Sequence, residues 1–199
     1  MIDSRSGNII ALLSVCVVVL LAVECTSGRI RRLLESKKLV GINLSGFDLY
    51  NLNLERINLT RARLIRTNFC FCNLRSAQLV NADLREADLC AADLTQADLR
   101  GANFRGASLH NAVLKKAILV DAYFYDADLS DADLREAIMV SGVDGVTGND
   151  IQKKIDRGEI VQFVHLRNAD CAGTAIDVKW KDFIQNQRVK NFEKIIWVD

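Results

Sequence analysis

The chain contains no proline, only two histidines and two tryptophans, and aromatic residues make up 7% of its 199 positions. Without proline no backbone donor is missing and no φ is locked, so nothing interrupts an extended backbone ladder. The two histidines, His110 and His165, are accompanied by no H-E-x-x-H motif, no glycine-rich phosphate loop and no Ser/His/Asp order. The usual groups for acid–base, nucleophilic and metal-assisted chemistry are therefore missing, and the sequence points to neither an enzyme nor a cofactor. None of the six cysteines belongs to a C-x-x-C pair, which leaves a zinc site without support. An excess of one charge is missing too, since 26 basic residues stand against 25 acidic ones. That balance offers no global attraction for a polyanion, so nucleic acid is not an expected partner.

What the sequence has instead is a short repeat. From Ile42 to Ser141 it can be written without a gap as twenty consecutive five-residue units. The third residue of each, here termed central, is Leu sixteen times, Phe three times (Phe69, Phe104, Phe124) and Met once (Met139). Two residues earlier stands Ala in fourteen units, unbroken from Ala77 to Ala137, and between the two lies Asp or Asn in thirteen, as in Ala82-Asp83-Leu84. A period of five fits neither a helix nor a flat strand, and self-similarity at a fixed period points to a solenoid whose coils bury their faces only by stacking. The in-out-in alternation suits a very short strand, while an Asp or Asn can bond nearby backbone and support the turn that follows.

The A-(D/N)-L-x-x pattern resembles the pentapeptide-repeat family over half of the chain. The resemblance implies an all-β solenoid, a right-handed quadrilateral β-helix in which four units make one coil, with the central residue and the small one before it inside and the other three outside. Twenty units then make about five coils, each rising about 4.8 Å. The family includes gyrase inhibitors whose rod imitates duplex DNA, so a DNA-mimicking inhibitor of a topoisomerase is one functional expectation. Mimicry needs a strongly acidic surface, whereas the repeats carry eleven basic residues against thirteen acidic ones. A non-catalytic scaffold that binds a protein partner is the expectation that takes precedence.

Residues 1–28 read as a separate device. Ile9 to Val23 is an uncharged apolar run of fifteen residues, short for a span of about twenty and suited to the apolar region of a signal peptide. Arg29, Arg31, Arg32, Lys37 and Lys38 follow it. Positive charge just after an apolar segment tends to stay cytoplasmic, so an uncleaved anchor is the other reading. The expected location is exported, in a periplasm or lumen, or membrane-anchored, with membrane association through residues 9–23. Residues 29–41, with helical spacing at Ile30, Leu33 and Leu34, are expected to cap the open first coil.

Past Ser141 the phase breaks, and residues 142–199 are expected to form a small α+β appendage. The spacing predicts a helix from Asn149 to Arg157, a strand from Glu159 to Leu166, a helix from Lys179 to Glu193 and a terminal strand from Ile195 to Val198. Val164/Leu166, Ala169/Cys171 and Thr174/Ile176 briefly revive the repeat spacing in a new phase.

If one coil is twenty residues, positions twenty apart are vertical neighbours. Cys70 and Cys90 then stack outside the wall, with a Cα separation of about 4.8 Å that lies in the disulfide range, although parallel side chains hold their Cβ atoms apart; a disulfide and two packed thiols both stay open. On the fourth side of the square, the polar flanks of the early coils give way to Ile118, Val120, Ile138 and Val140. Contiguous apolar groups usually mark a contact site. Either the tail folds back over them with Trp180, Phe183 or Trp197, or an unidentified protein partner binds there, a second copy joined through this C-terminal end included.

Overall fold

The computed structural model describes residues 39–139 and 164–199. The apolar run, most of the expected capping helix, the expected helix from Asn149 to Arg157, Val140, Cys16 and Cys25 lie outside the described residues.

A five-residue unit with Asp or Asn in the middle of its side is a complete solution to the backbone hydrogen-bond problem, and residues 82–86 show how. Ala82 N–H closes the preceding corner on Leu79 O (3.0 Å), Asp83 N–H reaches back one coil to Ala62 O (2.9 Å), and Leu84 N–H reaches forward to Asn103 O (2.8 Å). Glu86 N–H also reaches forward, to Arg105 O (3.0 Å). Only the fourth donor, Arg85 N–H, is left by the ladder, and Asp83 Oδ1 accepts it. That is the physical reason for Asp or Asn in the middle of each side: all thirteen take the N–H two residues on, from Asn43 to Asp133. An unpaired buried backbone group is costly, so a unit that pairs every donor is the one worth repeating.

The register follows from the unit. Bridges from Asn43↔Arg63 to Ile118↔Ile138 are all parallel and join residues twenty apart, so four units close one square coil and each side of the square is a column of units. The fifth residue turns the corner. From Gly46 to Glu136 every such position is left-handed, with φ between 53° and 74°, although Arg66, Phe71, Ala91 and many others there are not glycine. A left-handed L-residue costs roughly 1–2 kcal/mol, and the ladder bonds on both sides of each corner impose that conformation.

Inside the square, the stack Leu44, Leu64, Leu84, Phe104, Phe124 is buried throughout. Phe104 and Phe124 lie face to face at 4.7 Å, the spacing of successive coils. Alanine beside each central residue leaves the room that these stacks need. Where a polar residue replaces it, the hydroxyl finds backbone, as in Thr67 Oγ1 donating to Leu44 O (2.8 Å) and Thr174 Oγ1 to Leu129 O (2.7 Å).

The ladder starts before the point expected from the period. Leu39 is buried as a central residue and Gly41, with φ 72°, donates to Thr60 O. Residues 39–41 therefore already take positions of a further unit, while Leu39 itself keeps 3-10 helical geometry, so the ladder overlaps the end of the expected capping segment. The sequence hid this because Lys37 stands where the small inward residue belongs.

After Met139 the coil resumes at Val164, whose N–H donates to Met139 O (2.9 Å). The bridges Tyr123↔His165, Asp128↔Asp170 and Asp133↔Ala175 now join residues forty-two apart, one coil plus an insertion of twenty-two residues at a single corner. Val164, Leu166, Ala169, Cys171, Thr174 and Ile176 all point inward and are fully buried. Strand β1 (Ala175–Asp177) then pairs in parallel with β2 (Ile196–Val198), and Asp170 with Lys190. Between them lie a 3-10 turn (Val178–Trp180) and α1 (Lys181–Gln185). Trp180, Phe183, Ile184 and Ile195 join the main core. The single helix expected from Lys179 to Glu193 is thus five residues long. It stops because the chain must regain the ladder: Arg188 and Asn191 turn left-handed at φ 54°, and Lys190 N–H reaches Ala169 O (2.8 Å).

Candidate functional site

The walls are the surface available for function, and the fourth wall differs from the others. The register Gln78↔Asp98↔Ile118↔Ile138 puts the two isoleucines on adjacent rungs above a polar column. Ile138 is 48% exposed and Ile118 half-buried. Val120 is 6% exposed, and Cys70 at the equivalent place on another wall 9%, so Val120 offers little contact area. The patch of four residues is therefore, among the described residues, a pair. Among the described residues the tail leaves Ile138 half exposed, while Trp180 and Phe183 are buried in the core cluster and Trp197 packs against that cluster.

Cys70 and Cys90 are free thiols, so the disulfide is corrected. Burial, and then donation of the Cys70 thiol to the Asp88 carboxylate, push its pKa up to about 12, which keeps the sulfur an unreactive thiol. His110, Ser130 and Asp128 do meet, but in an order unsuited to nucleophilic attack. Ser130 Oγ donates to Asp128 Oδ1 (2.6 Å), His110 Nδ1 lies 2.9 Å from Ser130 Oγ and 3.1 Å from Ser130 O, and Asn111 Nδ2 approaches Nε2 at 2.8 Å. These contacts fit an imidazole that donates from Nδ1 and accepts at Nε2, so it takes no proton from the serine. No group of three or more metal-ligating side chains occurs among the described residues.

Two aromatic groups escaped the sequence reading. Tyr50 and Phe71, both more than half exposed, meet edge-on at 5.6 Å. They are twenty-one residues apart, and reading diagonals as well as columns would have found them. Tyr123 stacks on His165 at 4.6 Å, with Tyr125 within 6 Å of both. The insertion between residues 123 and 165 removed the twenty-residue signal for that contact.

Burial, opposed by Asp121, lowers the pKa of His165. The folded state thus favours the neutral ring, and below about pH 6.5 the unfolded chain binds the extra proton. The contribution of His165 is complete above that pH and is lost as pH falls toward the depressed folded value. Melting curves between pH 7 and pH 5 should show a loss that His165→Gln reduces; an identical slope in both chains would remove His165 from the account.

Charge on the walls is largely spent locally. Arg85, Arg100 and Arg135 each grip the aspartate two residues earlier with two hydrogen bonds of 2.5–2.8 Å. The hydrogen bonds from Arg85 hold Asp83 below the usual carboxylate range; at Asp98 and Asp133 partial burial pushes upward, but the arginine bonds outweigh it.

A solenoid of square coils with a sealed apolar core and side chains displayed on flat walls defines a class of protein whose function lies on its outside. The pentapeptide-repeat profile matches residues 38–75, 71–106 and 102–139, with eight copies, and the chain belongs to that family. Its members form right-handed quadrilateral β-helices and are in general non-catalytic scaffolds. No curated protein matches the chain. Among solved structures it is similar to the pentapeptide-repeat protein Rfr23 of the cyanobacterium Cyanothece 51142, at 33% identity over 50% of this chain and 78% of that one, with a TM-score of 0.38. A pentapeptide-repeat protein from the Arabidopsis thaliana thylakoid lumen is 32% identical over 50% of this chain and 69% of its own, with a TM-score of 0.27. HetL of Nostoc, involved in heterocyst differentiation regulation, is 26% identical over 77% and 74%, with a TM-score of 0.28. No helix among the described residues is long and apolar enough to cross a membrane.

Proposed function

We propose that the protein is a non-catalytic scaffold, exported or tethered to a membrane through residues 9–23, whose rod of about five coils presents its fourth wall to a protein partner. The partner includes a second copy joined toward the C-terminal end. The observation that carries this reading is Ile138, half exposed beside Ile118 in a column whose earlier residues, Asn58, Gln78 and Asp98, are all polar. DNA mimicry would need unpaired acid walls, whereas Asp83, Asp98 and Asp133 are each held by an arginine on their own side.

Ile138→Lys tests the wall. A surface substitution of this kind changes stability by about 0.5 kcal/mol or less, so the melting temperature should hold while a dimer seen by sedimentation, or a captured partner, is lost. A lowered melting temperature in an unchanged monomer would instead make Ile138 a packing residue, and no change in either would discard the wall as an interface. Export is read from the intact mass of the mature protein, which a cleaved signal shortens by about 25 residues.

A further inference from the structure

The charge on this rod is graded along its axis. Residues 42–81, the first two coils, carry five basic side chains against two acidic, and residues 82–141 carry six against eleven. Residues 26–41, which lead into the first coil, add five basic against one acidic. The positive charge of the first coils sits at corners. Arg56, Arg61 and Arg66 occupy three successive left-handed corner positions with φ 60°, 58° and 57°, and Arg63 lies on the side between the last two. All four are exposed. Glu55 lies 3.7 Å from Arg56 and Glu86 2.7 Å from Arg66, while Arg63 acts on Asp83. Arg61 forms no ion pair among the described residues.

We infer that the N-terminal end of the rod is a foot for an anionic lipid surface, with Arg56, Arg61, Arg63 and Arg66 as its contacts. Corners that follow one another around the square ring the end of the rod and do not line up along one wall, so they match a plane met end-on better than a duplex met sideways. The same end is joined to the apolar run: fifteen residues separate Val23 from Leu39, five of them basic and two acidic. Surface potential decays within about 8 Å at physiological salt. An upright rod therefore keeps its basic coils in the attractive layer and its acidic coils outside it, and a rod lying flat does not. This inference rests on the membrane-tethered form of the reading above and adds the lipid chemistry and the orientation.

The full chain is floated with vesicles of phosphatidylcholine alone and of phosphatidylcholine mixed with phosphatidylglycerol, at low and high salt. The expected result is at least a tenfold preference for the anionic vesicles at low salt, since each arginine near such a surface favours binding by about fivefold, and that preference should fade as salt rises. R56Q/R61Q/R63Q/R66Q should lose most of it, with its circular dichroism unchanged, because Gln96 already holds the same corner at φ 60°. R85Q/R100Q/R105Q, farther along the rod, should keep it. A quadruple variant that retains the preference, or an intact chain that shows none, overturns the foot. Binding to both vesicle types equally leaves tethering intact and removes only the foot; arginine-dependent binding to anionic vesicles alone removes tethering and keeps the foot. Loss of retention on a heparin column in the quadruple variant, with no vesicle preference in the intact chain, assigns the arginines to an acidic polymer and overturns the proposal.

Discussion

Leu89→Asp is expected to leave the chain without a stable fold. Leu89 is fully buried in the column Leu49, Phe69, Leu89, Leu109, Leu129, with the central residues Leu84, Leu94 and Leu99 of its own coil across the square. A carboxylate there finds no donor. The backbone N–H groups on either side are taken, Asp88 N–H by Thr67 O and Leu89 N–H by Ser108 O. An unbonded polar group in such a place costs roughly 2–7 kcal/mol and a charge more, against a total stability of about 5–15 kcal/mol. Coils of a solenoid touch only their neighbours, so damage in a middle coil also uncouples the two halves of the rod. The change should appear as loss of the β signal in circular dichroism or as a melting transition lowered by well over ten degrees. Asp88→Ala, one residue away, removes the turn bond from Cys90 N–H and the acceptor of the Cys70 thiol, at about 1 kcal/mol each. If Leu89→Asp melted no lower than Asp88→Ala, the inward assignment of the central residues would be wrong.

What could be read in advance was whatever every unit needs. Leucine inside, alanine beside it and aspartate at the outer edge recur because each answers a local requirement that the next unit repeats, and Asp83 and Leu84 show those answers in bonds and burial. The corners could not be read. Arg66, Phe71 and Ala91 carry no preference for left-handed backbone, and only the ladder on either side holds them there. Lys37 broke the pattern before Leu39, and twenty-two inserted residues hid the meeting of Tyr123 with His165. The site was legible to the same degree. The column arithmetic placed Ile118 beneath Ile138, but depth within a column is not written in the period, and Val120 proved buried.

Misreading Lys179–Glu193 as one helix has the same origin. Trp180, Phe183 and Ile184 have helical spacing because they do belong to short helical turns, yet that spacing carries no information about where the chain must return to pair. Asp170 supplies it: its side-chain Oδ1 accepts from Asn191 Nδ2 (2.8 Å) and from Ala172 N–H (3.0 Å), while its backbone bridges to Lys190. Those contacts pull Val189 and Phe192 back over the core, and the helix has to end before them.

Phe183→Ala is expected to open the C-terminal end of the rod. The last full coil ends on Val164, Leu166, Cys171 and Ile176, whose outer side would meet water if nothing lay across it. Helix α1 lays Phe183 and Ile184 over that opening, with the Trp180 ring edge-on to Phe183 at 6.2 Å. Phe183 is buried to 1% exposure, so truncation to alanine should cost about 3–5 kcal/mol. For a chain of this size each kcal/mol is worth roughly 2–4 °C, which puts the expected fall in melting temperature at about 6–20 °C. The loss should also be local. Amides of residues 164–176 should exchange sooner, while those of the middle coils keep their protection, because coupling passes only from coil to coil. Strand β2 pairs on one side only among the described residues, and an opened end beside an unpaired strand is a template for association. Sedimentation of the variant should therefore show concentration-dependent self-association that Ile138→Lys does not relieve. A Phe183→Ala chain that melts within about 2 °C of the original and stays monomeric would show that the end is closed by something other than α1.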